Sequence, residues 1–301
     1  MNGVLVIDKP PGLTSHDVVN RVRRVLGQQA VGHLGTLDPS ATGVLPLVLG
    51  SLTRLAQFYN ASEKSYEGII RFGLATDTYD AEGQPEGQAQ PILFTFDELR
   101  EVAAQFRGII EQIPPPFSAK KIQGVPAYKL ARKKKGVQLK PVRVEIKEFE
   151  VNSFRGQRAG FRARVASGTY MRSLAHDIGH QLGCGAHLES LRRTSVAEFT
   201  LDEARTLGEI DAVTERALIA ELFVHPRKLL PQFPSVTANE EIAAKMRSGR
   251  SVNLPEFSGA SHVKVFYGQR QLIGIATRVA GTLFHPKIVL ASEVAASELT
   301  R

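Results

Sequence analysis

The stretch from Gly32 to Gly43 constrains this chain more than any other, because its composition suits neither a regular helix nor an ordinary strand. It reads GHLGTLDPSATG. Its glycines permit positive φ angles and a close approach of the backbone to a ligand. Pro39 restricts the preceding residue, Asp38, to an extended conformation. We therefore predict a structured loop that leads into a buried strand and holds Asp38 rigidly.

The chemistry of Asp38 is open at this point. A carboxylate held rigidly on a loop can act as a nucleophile, a general base or a metal ligand. An Asp-Pro pair is equally typical of the start of a turn. The residue types alone do not decide between a reacting carboxylate and a turn.

Hydrophobic periodicity predicts regular elements on both sides of this loop. Thr14 and Thr95 each stand three residues before an acidic residue, which is the spacing of a capping box at a helix N-terminus. Alternation in SYEGIIRF predicts a strand with Tyr66 and Ile70 on one face. The predicted strands are 3–10, 65–72, 142–151, 160–167, 262–268, 271–279 and 283–290, and the predicted helices are 15–26, 51–59, 95–106 and 171–182.

Two changes in composition suggest the domain organisation. Prolines cluster at 226, 231 and 234, and short strand patterns follow them. We therefore predict a large domain over 1–231 and a small β-rich domain over 232–301. Residues 111–140 open with three prolines and continue with many basic residues, so we predict a protruding basic arm. Its densest run is Arg132, Lys133, Lys134 and Lys135.

Charge and cysteine content restrict the partners and the cellular compartment. The 301 residues carry a net charge of +8. A polyanion partner is the simplest physical reason for this excess, although a generically basic protein would show it too. One cysteine allows no disulfide within the chain. The first residues lack a secretory pattern and no apolar run reaches about 20 residues, so we expect a cytoplasmic protein with no membrane association.

Several stretches together resemble one known family. They are VLVIDKPPGLTSHDVV, GHLGTLDPSATGVLPL, KSYEG, ATDTYDAEG, IPPPFSAKKIQGVPAY and SGTYMRSLAHDIGHQLGCGAHLESLRR. In this order they are similar to the TruB family, the bacterial tRNA pseudouridine-55 synthases. The resemblance covers the chain up to about residue 200. Beyond that point the chain resembles the PUA type of RNA-binding domain only by position and strand pattern.

The resemblance implies a fold and a reaction. The implied fold is α+β: a central, mostly antiparallel sheet with flanking helices, a basic insertion arm and a PUA-like C-terminal domain. The implied reaction converts a uridine in the T-loop of tRNA, at position 55, into pseudouridine by base flipping and an aspartate nucleophile. No cofactor and no metal are implied. The expected partner is the T-arm of tRNA, and we expect a monomer with no obligatory protein partner.

The resemblance also implies catalytic residues. The nucleophile is Asp38, and His33 of the same loop holds the RNA and fills the space left by the flipped base. Tyr66 stacks on the target uracil and has its hydroxyl placed for proton transfer. Physically, a flipped base needs an aromatic platform. Without the resemblance, His33 would be interpreted as an ordinary loop histidine, and the pattern alone leaves open that Tyr66 is an ordinary core tyrosine.

Four further residues follow from the same resemblance. Tyr170 belongs to the uridine pocket, Leu191 is its apolar wall, and Asp80 lies near the RNA. Arg172 pairs with the catalytic carboxylate, and such a pair keeps a buried carboxyl group ionised. The alternatives are core packing for Leu191 and an exposed first-turn arginine for Arg172.

The basic arm departs from the family pattern. Three lysines, Lys133 to Lys135, stand before Gly136, where the family more often has one residue. The implied role of Arg132, Lys133, Lys134 and Lys135 is contact with the RNA backbone. A solvated basic loop is the alternative for the three lysines.

Three other functions would each explain part of the sequence. An RNA-binding protein without catalysis would explain the basic arm and the C-terminal domain, but it would not need the pocket residues. A guide-RNA-dependent pseudouridine synthase shares the catalytic loop, and the continuous basic arm argues against it. A metal site is disfavoured, because His176 and His180 lack the glutamate of the H-E-x-x-H pattern, and Asp77 with Asp80 reads better as a turn.

Overall fold

The computed structural model describes residues 1–118, 139–213 and 219–290, together with the strand backbone at 121–122 and 125–126. These residues form a mixed α+β structure, which confirms the predicted fold class. They divide into two compact units. The first holds Met1–Pro39, Val44–Asn60 and the chain from Glu198 onward, and the second holds Ser40–Gly43 and Ala61–Ala197.

The bounds of the strands and helices are as follows. The strands are β1 (Gly3–Lys9), β2 (Val31–His33), β3 (Thr42–Leu49), β4 (Lys64–Phe72), β5 (Ala75–Thr76), β6 (Pro85–Glu86), β7 (Gly108–Gln112), β8 (Lys121–Ile122), β9 (Val125–Pro126), β10 (Val142–Arg155), β11 (Arg158–Val165), β12 (Ala186–Val196), β13 (Phe199–Thr200), β14 (Ser235–Ala238), β15 (Val252–Asn253), β16 (His262–Tyr267), β17 (Gln271–Ala280) and β18 (Leu283–Val289). The helices are α1 (Ser15–Leu26), α2 (Ala56–Tyr59), α3 (Phe96–Gln105), α4 (Met171–Gln181), α5 (Leu207–Ala212) and α6 (Glu240–Arg247).

The second unit is built on an antiparallel sheet in the order β12-β4-β11-β10-β7. Helix α3 contacts β10, and α4 contacts β12. The buried face of this sheet carries Ile70, Phe72 and Phe161, as the alternation along β4 predicts. The outer edge of β12 pairs in parallel with Thr42 and Gly43, the first two residues of β3.

The first unit contains the N-terminal strands and a C-terminal sheet. Strands β1 and β2 both pair with β3. The C-terminal sheet has the order β14-β16-β17-β18-β15, and its core includes Met246, Val263, Val265 and Phe284. This β-rich segment agrees with the predicted strands at 262–268, 271–279 and 283–290. The predicted domain boundary at residue 231 stays a prediction, as does the PUA-like character of the segment.

The helix caps form as the sequence predicts. Thr14 Oγ1 accepts from Asp17 N (3.1 Å) and the Asp17 carboxylate accepts from Thr14 N (2.9 Å), which completes a capping box. Gly27 ends α1 in the left-handed conformation, with φ of 59°. Thr95 and Glu98 form a second capping box at the start of α3. Local hydrogen bonding alone determines these ends, so the sequence reveals them.

Several elements lie where no regular structure was predicted, and the longest of them are β12 and α6. Strand β12 reads AHLESLRRTSV, whose polar and charged residues obscure a period of two. Helix α6 begins after the cap Asn239 within a segment that was predicted to hold strands only. In addition, Glu111 and Gln112, the first residues of the predicted arm, belong to β7.

The longest described helix is α1 with 12 residues, so none among the described residues could cross a membrane.

Candidate active site

The loop that carries Asp38 is anchored on both sides of that residue within the first unit. Ser15 Oγ accepts from Leu37 N (2.8 Å) and donates to Leu37 O (3.1 Å). Lys9 is fully buried, and its ammonium donates to the carbonyls of Pro39 (3.0 Å), Leu13 (2.7 Å) and Pro10 (2.9 Å). These bonds fix the backbone immediately before and after the aspartate.

Asp38 itself is half-buried, and so is His33 at the end of β2. His33 Nδ1 accepts from Gly35 N (3.3 Å). Leu34 and Leu37 point into the core and are 5% and 3% exposed. The loop is thus a structured segment with apolar anchors, as predicted. The catalytic role of Asp38 and the RNA contact of His33 stay predictions.

Tyr66 lies on the buried face of β4 and is 8% exposed. Its cross-strand neighbour on β12 is Arg193, which is completely buried. The two side chains are hydrogen-bonded to each other. Burial lowers the pKa of the Arg193 guanidinium, while the interaction with Tyr66 acts in the opposite direction. A buried cation beside the tyrosine hydroxyl is a feature that the sequence interpretation missed.

Lys64 lies close to the pair formed by Tyr66 and Arg193. It stands two residues before Tyr66 on β4, so its side chain leaves the same face of the strand. Burial and the charge of Arg193 lower the pKa of Lys64 to about 8. Its ammonium donates to Ser62 O (2.7 Å). The strand pair therefore concentrates positive charge around Tyr66.

Arg172 is buried at the start of α4, so the alternative of an exposed first-turn arginine is wrong. It donates to Thr78 O (3.1 Å) and to Phe117 O (3.0 Å), and it lies 3.4 Å from the Asp80 carboxylate. Asp80 also accepts from Thr78 Oγ1 (2.6 Å). Asp80 is therefore a structural partner of Arg172, while pairing of Arg172 with Asp38 stays a prediction.

Tyr170 and Leu191 occupy defined positions in the second unit. Tyr170 is the residue before α4, and its backbone N–H and C=O bond reciprocally to the buried Gln112 amide (2.8 and 3.0 Å). Leu191 lies on β12 opposite Gly68. It borders a polar cavity of about 440 Å³, together with Ser40 and residues on the sheet face opposite to Tyr66. Their roles in a uridine pocket stay predictions.

His176 and Asp77, two of the residues that the metal-site alternatives include, make other contacts in the structure. The ring of His176 stacks on Tyr79, with ring centroids 3.8 Å apart. Asp77 accepts from Gln84 N (2.8 Å) in the turn that precedes Gln84. Within the described part of the chain, no three His, Cys, Asp or Glu side chains form a group that could hold a metal ion.

The basic run falls outside the described residues. It consists of Arg132, Lys133, Lys134 and Lys135, and its predicted contact with the RNA backbone stays a prediction.

The structure adds Arg193 to the functional residues. The sequence could have revealed it only if the alternation of β12, that is, which of its residues point to the buried face, had been known. The alternation matters because Arg192 and Arg193 are adjacent and point to opposite faces of the sheet.

Comparison with known proteins identifies the family. Residues 23–171 match the model of the TruB family pseudouridylate synthase N-terminal domain, and 172–223 match the tRNA pseudouridylate synthase B C-terminal domain. The tRNA pseudouridine synthase B of Solibacter usitatus is 47% identical over 293 residues, covering 96% of this chain and 100% of that protein. The protein of the same name from Aquifex aeolicus is 41% identical over 293 residues, with the same coverage.

Solved structures show the same relationship. The crystal structure of a Cbf5-Nop10-Gar1 complex contains a chain that matches this one with a TM-score of 0.68 and 26% identity. The match covers 93% of this chain and 79% of that chain. The family models and the end-to-end identity with curated relatives agree with this structural likeness. The chain therefore belongs to the TruB family of pseudouridylate synthases.

Proposed function

We propose that this enzyme converts the uridine at position 55, in the T-loop of tRNA, into pseudouridine, with Asp38 as the nucleophile. The observation that carries the substrate assignment is the 47% identity, over the whole length of the relative, with a protein named tRNA pseudouridine synthase B. The net charge of +8 supports a polyanionic substrate, because lysine and arginine neutralise phosphates and release counterions.

The loop geometry supports Asp38 as the reacting group. Ser15 and Lys9 hold the backbone at Leu37 and Pro39, so little conformational freedom is left to the backbone of Asp38 between them. Fixing a nucleophile in advance removes an entropic part of the activation barrier. Five residues later, Gly43 pairs with Arg193 on β12, the strand that faces Tyr66. In the same proposal, Asp38 and Tyr66 act on one substrate, because both lie in residues 23–171, which match the family's N-terminal domain.

The reaction is an isomerisation in which the flipped base is cut from the ribose and rejoined through another atom. Extruding the uridine costs a few kcal/mol, which stacking on Tyr66 and phosphate contacts offset. Asp38 either attacks C1′ of the ribose or removes a proton from C2′, and both routes break the bond from C1′ to N1. The uracil rotates and C5 bonds to C1′, while the bond from C1′ to Asp38 breaks on the first route and the proton returns to C2′ on the second. The proton on C5 then leaves and N1 takes one up, so the product has the same atoms as uridine.

The other residues have supporting roles in this proposal. The Tyr66 hydroxyl, bonded to Arg193, is placed to take part in the proton transfer from C5. Arg172 pairs with the Asp38 carboxylate. His33, Tyr170 and Leu191 shape the uridine pocket. Asp80 lies near the RNA, and Arg132, Lys133, Lys134 and Lys135 contact its backbone.

We further propose that the enzyme acts as a monomer, in the cytoplasm, on the T-arm of tRNA without a protein partner or guide RNA. The Cbf5 chain that it resembles is in a complex with Nop10 and Gar1. That likeness has 26% identity, whereas the relatives named tRNA pseudouridine synthase B reach 41% and 47%. The higher identity favours an enzyme that recognises tRNA by itself.

The test is release of tritium from a tRNA transcript labelled with [5-³H]uridine, using purified enzyme alone. We expect release by the wild type, no release by Asp38→Asn, and retained tRNA binding by both. A transcript with cytidine at position 55 is the substrate control and should release nothing. An active Asp38→Asn enzyme would remove Asp38 as nucleophile. Tight, salt-sensitive binding without release by the wild type would contradict the proposed reaction.

A further inference from the structure

Tyr79 has a backbone conformation that tyrosine rarely adopts. Its φ angle is +65°, in the left-handed region that favours glycine and asparagine. Bulky residues persist there only when their surroundings hold them, and they are concentrated near functional sites. The turn would form with less strain around glycine. The reason for a tyrosine must therefore lie in its side chain.

The side chain of Tyr79 stacks on His176 of α4. The ring centroids are 3.8 Å apart and the planes differ by 18°. His176 Nδ1 is buried and has no hydrogen-bond partner among the residues that the structure describes. The stack is therefore a contact that orients the imidazole ring. Stacked aromatic rings attract each other beyond the area that they bury.

Both rings are neutral at physiological pH. Burial, with the charges of Glu86 and Asp177, raises the pKa of the Tyr79 hydroxyl. Burial, with the charge of His180, lowers the pKa of His176. The stack thus brings no net charge close to the guanidinium of Arg172.

The position of the stack connects it to Arg172. His176 follows Arg172 by four residues on α4, so the two side chains leave the same face of the helix one turn apart. Arg172 donates to the carbonyl of Thr78 and pairs with Asp80, the two residues that flank Tyr79. Helix α4 therefore contacts three consecutive residues of one turn, Thr78, Tyr79 and Asp80, through Arg172 and His176. Displacing Tyr79 would displace both partners of Arg172.

We propose that the Tyr79–His176 stack positions Arg172 for the reaction. Neither residue touches the reacting atoms, so both act through the arginine. The proposal rests on the role in the reaction that Arg172 has in the proposed function. It goes beyond that function because it adds two residues outside the uridine pocket.

The kinetic test compares three substitutions of Tyr79. Tyr79→Phe keeps the ring, Tyr79→Ala removes it, and Tyr79→Gly removes it while relieving the backbone strain. We expect Phe to retain wild-type kcat, and Ala and Gly to lower kcat about tenfold with KM nearly unchanged, because a misplaced group weakens only the transition state. Since Tyr79→Gly suits the left-handed backbone, backbone strain cannot explain its loss. His180→Ala, an exposed position one turn further along α4, is the control and should match the wild type.

A second readout does not depend on activity. In ¹⁵N-arginine NMR spectra, the buried Arg172 Nε–H should exchange slowly with solvent in the wild type and Tyr79→Phe. It should exchange at least about tenfold faster in Tyr79→Ala and Tyr79→Gly. Unchanged exchange and kcat in Tyr79→Gly would overturn the proposal, as would equal damage by Phe and Ala. An inactive wild type with the expected exchange pattern would contradict the proposed function and leave the positioning intact.

Discussion

At the scale of single residues, buried cations characterise this protein. Burying a charged group is costly unless it is paired or hydrogen-bonded. Lys9 meets this requirement with backbone carbonyls, Arg172 with a carboxylate and two carbonyls, and Arg193 with the hydroxyl of Tyr66. Lys9 contacts the loop around Asp38 and Arg193 contacts Tyr66, while Arg172 is itself a proposed catalytic residue. Within each unit, these buried charges thus fix the backbone and side chains around them.

Replacing Arg193 should separate this role from general surface charge. Arg193→Met leaves the Tyr66 hydroxyl without its buried partner, so we expect it to lower the free energy of unfolding by about 2–4 kcal/mol and to reduce kcat. The matched control is Arg162→Met, an exposed arginine on β11, which should change both quantities far less. Urea denaturation and tritium release measure the two effects. Equal stability of the two variants would contradict the buried role of Arg193.

Asp177 makes stability depend on pH through its burial. Burial raises the pKa of this carboxyl group from 3.8 to about 6, against a smaller opposite effect of His180. The folded state therefore holds a proton that the unfolded state loses, and stability declines as the pH rises from 4 through 6. We expect Asp177→Asn to stabilise the protein more at pH 7.5 than at pH 4. A difference between variant and wild type that is constant with pH would rule out this origin.

At the scale of secondary structure elements, the close pairing of β3 with β12 matters most for the site. Gly43 has a φ angle of +101° and lies opposite Arg193. A Cβ atom at this position would stand 2.2 Å from the carbonyl oxygen of Arg193. The glycine thus permits the end of the loop to join the strand that carries the buried arginine.

Gly43→Ala should therefore be far more damaging than its size suggests. We expect a loss of about 3 kcal/mol or more in unfolding free energy, from backbone strain and the clash with a strand. Gly27→Ala is the matched control, because Gly27 also has a positive φ of 59° but open space at its Cβ. It should cost only about 1 kcal/mol. Thermal and urea unfolding of both variants provide the measurement.

The sequence predicts elements to the extent that local interactions determine them. The capping boxes at Thr14 and Thr95 and the alternation around Tyr66 are local, and the structure contains them. Strand β12 escaped prediction because its inward side chains include an arginine, which reads as exposed until its partner Tyr66 is known. The motif resemblance was enough to find Arg172. The roles of Arg193 and of the stack of Tyr79 on His176 depend on three-dimensional contacts, so the sequence alone did not reveal them.

At the scale of the whole molecule, net charge governs the encounter with the substrate. The charge of +8 acts on any polyanion, whereas the pocket residues act only after docking. Affinity for tRNA should therefore depend strongly on salt, and the chemical step should not. Measuring the Kd for tRNA and the kcat at several ionic strengths distinguishes the contribution of the net charge from that of the pocket residues.

The three lysines of the basic run offer a quantitative version of this test. Replacing Lys133, Lys134 and Lys135 together with alanine should weaken tRNA binding and reduce the slope of log K against log salt by about 2–3. Replacing Lys245, which pairs with Glu241 on α6, should leave the slope unchanged. Filter binding between 50 and 300 mM salt measures the slope. An unchanged slope for the triple variant would assign these lysines to a solvated loop.

The division of the chain into units has a consequence for synthesis on the ribosome. The second unit is complete once residue 197 has emerged, whereas the first still lacks everything from Glu198 onward. Strand β1 bonds to partners made much later: Arg205 N donates to Val6 O (2.8 Å) and Val224 N to Val4 O (2.8 Å). At a translation rate of about 5–20 residues per second, β1 of the nascent chain lacks these partners for some ten seconds or more. Slowing translation between residues 60 and 198 should therefore prolong the exposure of β1 to chaperones and proteases.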